Sequence, residues 1–494
     1  MNLSAVDIAI VGAYLALTIY SGTYAKKYIK DLSGFLVAER SMGLNLGLAS
    51  LISSEIGIIT YMYLAEAGYR NGLAALMIGI PFFLVFLFLG RTGFIIKPLL
   101  ELRIMTLPEL FERKYGPGVR FLAGLLMAVG GIINFGVFPG VEAKFINTVT
   151  GLPANAILWT MIVLLAVVLL YTALGGMISV IFTNYIQYIL LSLGMVFLTV
   201  FGFFKVGWPQ IVSTVEKTFG ARGVNPFAAG SPFGWTFFFW QLLFQLSVLT
   251  IAPYITMRIF SAKDSRTGTR IFTWSSVMFL ARAVIPVFWG VLALSCLTVK
   301  PDDPLQALPL MIVQLTPKGL LGLMLAAFLA ASMSTYASYL LSWSSIIAQD
   351  LVGVTYKRLS GRRLDDRRLL IVNRATMAGI IVFMIWWSFS FKSEELLFFY
   401  LLLAVNLFLA GTLISAVFGI YFHDARFGLL RGRSWGAALA FVLGAVPTVL
   451  FFLPSHPPVS RLGIWSYALA LGGMVVGSVA QNIFKPVPKT GDAA

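Results

Sequence analysis

The chain has 494 residues, is 59% hydrophobic with a mean hydropathy of +0.89, and carries only 11% charged residues with a formal net charge of +16. A soluble domain carries roughly a quarter charged residues, so these figures exclude a soluble globular protein and point to an all-α polytopic membrane protein. One cysteine, Cys296, excludes an internal disulfide, and the two histidines, His423 and His456, fall in predicted loops, which argues against a His-based metal or acyl-transfer site in the membrane.

A membrane helix needs about 20 apolar residues. Thirteen such stretches follow in order: 5–25, 44–68, 72–98, 119–148, 155–176, 177–205, 233–256, 271–298, 319–347, 370–390, 393–420, 434–453 and 463–484. The first, opening MNLSAVDIAIVGAY, has no basic n-region or cleavage site and reads as a retained helix rather than a signal peptide. Between the third and fourth spans, MTLPELFERKYGPGVR (105–120) predicts a short amphipathic helix with Thr106 as cap and Pro108 in its first turn. The stretch 206–232 is a candidate for a surface helix on the other side. Of 36 cationic residues, 25 fall in the loops of one side, among them Lys26, Lys27, Lys30, Lys97, Arg258 and Lys489. Seven fall on the other side: Arg70, Lys217, Arg222, Lys300, Lys318, Lys392 and Arg461. That asymmetry places the N-terminus outside and the C-terminus in the cytoplasm. The basic excess is thus a topology signal, and nucleic acid is not an expected partner.

Polar residues inside the spans are the next signal, because the bilayer interior tolerates them only facing a bundle or a pathway. The second span, LGLASLISSEIGIITYMYLAEAGY, places Glu55 and Gly57 near its middle. An unwound turn there frees backbone carbonyls as ion ligands; the plainer alternative is close packing of small residues with Glu55 bonded to a neighbour. In the fourth span Asn134 lies deep, while Glu142 and Lys144 read as interfacial. Arg91, two turns from Lys97, reads as reaching the cytoplasmic surface. Pro253 breaks the seventh span and Tyr254 follows it, which fits an ordinary kink with an aromatic-belt residue. Arg282 sits mid-span in SSVMFLARAVIPVFWG, and both a functional role and a structural ion pair stay open. The ninth span, in GLMLAAFLAASMSTYASYLLSWSSIIAQD (322–350), carries a file of hydroxyls at Ser332, Ser334, Thr335, Ser338, Ser342, Ser344 and Ser345. Lipid calls for none of these, whereas a hard cation such as sodium that sheds its water calls for oxygens.

Four segments carry a resemblance. TALGGMISVIFTNYIQ (172–187) resembles a Gly-Gly signature running into Thr-Asp-x-x-Gln, and SGFLVAERSMG (33–43) a first cytoplasmic loop. TLPELFERKYG (106–116) is similar to a loop helix and LAASMSTYAS (329–338) to a ninth span. Together they resemble the sodium/solute symporters, which include the proline, pantothenate, sialic-acid and sodium/glucose carriers. The resemblance implies a LeuT-type core of two inverted five-helix repeats, 44–205 and 233–420. A peripheral helix and cytoplasmic loop (1–43) precede them, an external loop (206–232) joins them, and two peripheral helices with a tail (421–494) follow. It further implies one sodium site, made by the carbonyls of Ser53, Ile56 and Ala331 and the hydroxyls of Ser334 and Thr335. The spacing agrees, since Ala331, Ser334 and Thr335 share one helical face. Asn134, Tyr254 and Arg282 fall at positions where relatives place substrate contacts, and Glu55 where they place a polar residue beside the sodium ligands. Asn184 departs from the signature's aspartate and Ala337 from a serine, which removes partners of a second sodium site and leaves Ser338 as its remnant. Ser332, Ser342, Ser344 and Ser345 are expected to bond their own helix.

The expected function is secondary active symport of a small organic solute, an amino acid, carboxylate or sugar-like molecule, by alternating access in the plasma (inner) membrane. Sodium is the coupling ion, the partners are the solute and the lipid bilayer, a monomer is the working expectation, and no enzyme activity is expected. Arg282 either binds a substrate carboxylate or pairs with Glu55. Two rivals remain: the same fold coupled to protons through Glu55, and a transporter-like solute sensor, against which the lack of an appended signalling domain argues.

Overall fold

A computed structural model describes residues 2–24, 35–36, 38–317, 319–390, 397–453 and 455–485, and each predicted span is helical there for most of its length. Lys26, Lys27, Lys30, Lys318, Lys392, Lys489 and part of the 33–43 motif lie outside the described residues. The main helices are α1 (Ala5–Tyr24), α2 (Leu44–Ser54), α3 (Ile58–Asn71), α4 (Gly79–Thr92), α5 (Leu107–Tyr115), α6 (Pro117–Gly136), α7 (Phe138–Thr150) and α8 (Ile157–Val206). After them come α9 (Trp235–Ile251), α10 (Pro253–Ser261), α11 (Ser265–Cys296), α12 (Leu321–Ile346), α13 (Asp366–Ser390), α14 (Leu397–Tyr421), α15 (Ser434–Phe451) and α16 (Val459–Phe484). The surface helix expected in 206–232 is Trp208–Phe219. Among the described residues nine helices are long and apolar enough to cross a bilayer, ten if the bent pair α9–α10 counts as one span, against thirteen expected. Ile58–Thr92 and Ala154–Val206 each run through two predicted spans as one helical stretch.

Small residues and prolines decide where the helices break. The 53 residues of Ala154–Val206 would reach roughly 80 Å at 1.5 Å per residue, far beyond the ~30 Å of hydrocarbon. The stretch bends at Gly176, whose φ of 49° and ψ of −147° leave the helical region. A Cβ there would stand 2.5 Å from the Phe35 ring and 2.6 Å from its carbonyl oxygen, so position and backbone both require glycine. The second predicted span breaks at Glu55–Gly57, with Gly57 extended at φ −99°, ψ 170°. Ala252 opens the seventh span and Pro253 starts α10 at an angle of 47°.

α12 lies at the centre: 94% of its most apolar window is buried, against 28% for α13, which faces lipid. α1 is fastened to its start, where the Asp7 carboxylate accepts the Gly322 and Gly319 N–H groups at 2.6 and 3.3 Å, donors that a helix start otherwise leaves unsatisfied. At the other end, α12 runs into a π-helical turn, Ile347–Gly353. There buried Asp350 accepts from Arg120 Nη2 at 2.6 Å and Thr106 Oγ1 at 3.0 Å. Thr106 therefore sits at the N-cap of α5 but does not cap it with its hydroxyl; Glu109 takes the Met105 N–H at 3.1 Å instead. Met42 N–H donates to the Ser261 carbonyl at 3.0 Å, which ties the first loop to the end of α10.

Candidate ion and substrate site

The break between α2 and α3 meets the hydroxyl face of α12. Ser53 and Ser54 turn their own hydroxyls back onto Ala49 and Leu51 carbonyls at 2.8 and 3.0 Å, which weakens the end of α2 just before Gly57. The Ser53 carbonyl is left facing α12 and accepts from Ser334 Oγ at 2.6 Å. The same Oγ lies 2.8 Å from the Ala331 carbonyl, and Thr335 Oγ1 lies 3.1 Å from it. One hydroxyl has one proton, so Ser334 serves one of its two carbonyls at a time. A Cβ on Gly57 would meet Thr335 Oγ1 at 3.1 Å, so the hydroxyls close directly on the unwound turn. Four of the five expected ligand residues, Ser53, Ala331, Ser334 and Thr335, are thus hydrogen-bonded together; Ile56, buried, sits in the unwound turn beside them. Two carbonyls and two hydroxyls on a buried seam form a donor set suited to a small hard cation.

The substrate candidates divide. Tyr254 stacks on Tyr339 of α12 with ring centroids 4.1 Å apart. The Arg282 guanidinium, buried in α11, lies over the rings of Phe82 and Phe279 at 5.0 and 5.1 Å. It makes no hydrogen bond or ion pair with any described residue, so the structural Glu55–Arg282 pair left open by the sequence does not form within 4.0 Å. Glu55 is itself buried, with one carboxylate oxygen unpartnered, in the electrostatic reach of Arg282 and Arg258. Asn134 is spent elsewhere: its amide donates to the Leu401 carbonyl of α14 at 2.9 Å.

The sodium:solute symporter family model matches residues 35–432. The chain belongs to the sodium:solute symporter family. It is 26% identical to a sodium/glucose cotransporter 4 of Danio rerio, over 92% of this chain and 73% of that protein. It is also 26% identical to a sodium/mannose cotransporter of Bos taurus, over 92% of this chain and 81% of that one. In fold it resembles a sodium-coupled sialic acid symporter in a substrate-bound outward-open state, with a TM-score of 0.79 at 17% identity over 96% of this chain and 98% of that one. A nucleobase-cation-symport-1 family transporter follows at a TM-score of 0.57 and 15% identity, over 91% and 95% of the two chains. The fold is accordingly LeuT-type, and the chain is a multi-pass membrane transporter, not an enzyme.

Two residues of the symporter stand away from where its sequence placed them. Arg258 reads as a loop cation, yet it is buried in α10. Its guanidinium donates to the Tyr254 carbonyl and to Ser338 Oγ, because the turn after Pro253 aims the new helix inward. Glu142 reads as interfacial, yet it is fully buried and accepts a hydrogen bond from Ser332 Oγ and the Ile59 N–H at 3.3 Å. The helical stretch is interrupted at Val137, just before Pro139, and α7 packs against α3 and α12, which encloses Glu142. Ser332 therefore does not bond its own helix, whereas Ser342 and Ser345 do, to the Ser338 and Leu341 carbonyls at 2.7 and 2.5 Å. Ser344 reaches both the Leu341 carbonyl and Asn373 at 3.1 Å. Asn184, in place of the signature's aspartate, donates to Ser50 Oγ at 3.3 Å. Lys144, unlike Glu142, is half exposed and faces Asp303 at 3.9 Å.

Proposed function

We propose that this symporter carries a small carboxylate-bearing solute into the cell together with one sodium ion. Sodium coupling follows from family membership; the solute class and the residues that act are the further step. The observation that carries the solute class is Arg282, a buried guanidinium that no described side chain or carbonyl satisfies. A buried cation is seldom kept unpaired in a membrane without a use, and a planar fork suits bidentate capture of a carboxylate. Among the structural relatives is a carrier named for a sialic acid, itself a carboxylate; the sugar carriers named above are the competing precedent.

The sodium ligands are the carbonyls of Ser53, Ile56 and Ala331 with the hydroxyls of Ser334 and Thr335. The ion fastens the broken helix to α12 and so favours the state that binds solute. The repeats 44–205 and 233–420 rock around this seam, with the N-terminus outside and the C-terminus in the cytoplasm of a plasma-membrane monomer. One charge moved through 100 mV supplies about 2.3 kcal/mol, to which the sodium concentration gradient adds.

The test is a thermal-shift screen of carboxylate and neutral solutes on the purified protein, with and without sodium, since a ligand of the folded state raises its stability. A carboxylate whose stabilisation needs sodium, and is lost in the Ser334→Ala, Thr335→Ala double variant, is the expected hit. Sodium-dependent uptake that survives both substitutions refutes the ion site. Uptake driven by a pH gradient in sodium-free buffer would move the coupling to protons, with Glu55 as carrier.

A further inference from the structure

Glu142 is a buried carboxylate that neither the sodium ligands nor Arg282 account for. It stands on α7 with 0% exposure. Ser332 Oγ donates to its Oε2, and the Ile59 N–H donates to its Oε1 at 3.3 Å. Ile59 is the second residue of α3, so that N–H is one of those the helix break sets free. The Tyr336 hydroxyl is near but makes no hydrogen bond to it. Among the described residues no Lys, Arg or His forms an ion pair with it. Lys144, two positions on, turns away to Asp303, and the fields of Arg258 and Arg282 fall on Glu55.

An ionised carboxylate in a bundle interior is costly without a cation, and either a proton or an arriving cation removes that cost. The place for a cation adjoins it. A Cβ built on Gly57 would lie 3.5 Å from Glu142 Oε1 and 3.1 Å from Thr335 Oγ1, so a single spot beside the unwound turn faces both the carboxylate and a sodium ligand. Glycine leaves that spot without a side chain.

We propose that Glu142 is the counter-charge of the transported sodium: its carboxylate, held by Ser332 and the Ile59 N–H, neutralises the ion bound at the break. The signature position that would otherwise supply a carboxylate is Asn184, which is neutral. This inference rests on the sodium reading above, and the experiment separates the two. The purified full-length chain is titrated with sodium at constant ionic strength, choline replacing sodium, and the thermal shift is followed for wild type, Glu142→Gln, Glu142→Asp and the Ser334→Ala, Thr335→Ala double variant. Glu142→Gln keeps the size of the side chain and removes its charge. Its half-saturating sodium concentration rises at least tenfold, while a solute found for the wild type keeps its affinity at saturating sodium. Glu142→Asp, with the charge drawn back by one methylene, falls between the two. A wild type that no sodium concentration stabilises overturns the sodium reading and this inference with it. A responsive wild type and a silent double variant, with Glu142→Gln titrating as the wild type does, overturn this inference alone. Where Glu142→Gln fails to fold, Glu142→Asp decides, and an unchanged sodium titration there counts equally against it.

Discussion

Replacing Arg282 with glutamine tests the solute assignment most directly. The guanidinium is buried, its Nε has no partner, and what it touches is the faces of Phe82 and Phe279 at 5.0 and 5.1 Å. The folded chain therefore loses little on substitution: a cation–π contact contributes about 0.5–2 kcal/mol, and no hydrogen bond is broken. A carboxylate solute loses much more. Each hydrogen bond to a charged group contributes about 1.5–3 kcal/mol, and a bidentate pair has two. With ~1.4 kcal/mol per tenfold, Arg282→Gln should weaken a carboxylate ligand by roughly 100-fold or more, while the amide or alcohol analogue of that ligand changes less than about threefold. Arg282→Lys keeps the charge and loses the fork, so its affinity should fall between the two. The assay is competition of paired carboxylate and neutral analogues in sodium-dependent uptake, with a melting curve as the control for folding. Unchanged affinity for every carboxylate solute in Arg282→Gln would refute the reasoning, and Arg282 would then be a cation held by aromatic rings alone.

Gly290→Ala should lower the melting temperature, because a Cβ there would stand 1.8 Å from the Ala65 carbonyl oxygen and 2.8 Å from the Tyr69 nitrogen, backbone that cannot step aside; overpacking of this kind costs about 1–3 kcal/mol, and an unaltered melting curve would contradict the close crossing of α3 and α11. Asp350→Asn removes one partner of a buried pair and should destabilise the chain by about 3 kcal/mol, read as a lower melting temperature that Arg120→Lys reproduces only in part. Asp264 caps α11 by accepting the Thr267 N–H at 2.7 Å, and that bond holds its carboxyl below the usual range. The depressed folded-state value means the cap stabilises at neutral pH and weakens as pH falls through that value. Asp264→Ala should thus cost about 1 kcal/mol at pH 7, and the difference from wild type should shrink on acidification.

What the sequence made legible follows the two kinds of signal that survive in one dimension. Helix breaks were readable because Gly57 and Pro253 act locally through backbone freedom or a missing donor, and both breaks stand where those residues predict; the boundary read between the spans 155–176 and 177–205 falls at the kink of Gly176. The hydroxyl face of α12 was readable because Ala331, Ser334 and Thr335 repeat at helical spacing. Depth was not. Glu142 was placed by its position near the outer end of its span, and the packing of α7 against α3 and α12 buries it there. Arg258 was placed in a loop because it follows the span read as 233–256, and the 47° turn after Ile251 aimed it into the bundle. Partners were not legible either. Whether Ser332 bonds its own carbonyl or a glutamate 190 residues away depends on which helix packs against it, and neither choice leaves a mark on the residues around Ser332.

The fate of Ser338 bears on stoichiometry. Sequence left it as the remnant of a second cation site lacking Asp at 184 and Ser at 337. The structure puts the Arg258 guanidinium on its oxygen, while its own proton goes to the Ser334 carbonyl at 2.7 Å. A fixed, buried positive charge therefore lies one helical turn from the proposed sodium ligand Ser334. Like charges that close repel most where water is excluded, so a mobile second cation beside Ser338 would have to meet the guanidinium with no carboxylate at position 184 to offset it. The field of that guanidinium falls on Glu55, which leaves the proposed role of Glu142 on α7 to the sodium itself. If Glu142 retains the first ion as proposed, an arginine that excludes a second fits a single sodium per cycle. On this reasoning, sodium dependence of uptake stays hyperbolic, and sigmoidal dependence in the wild type would mean that Arg258 moves away from Ser338 during transport.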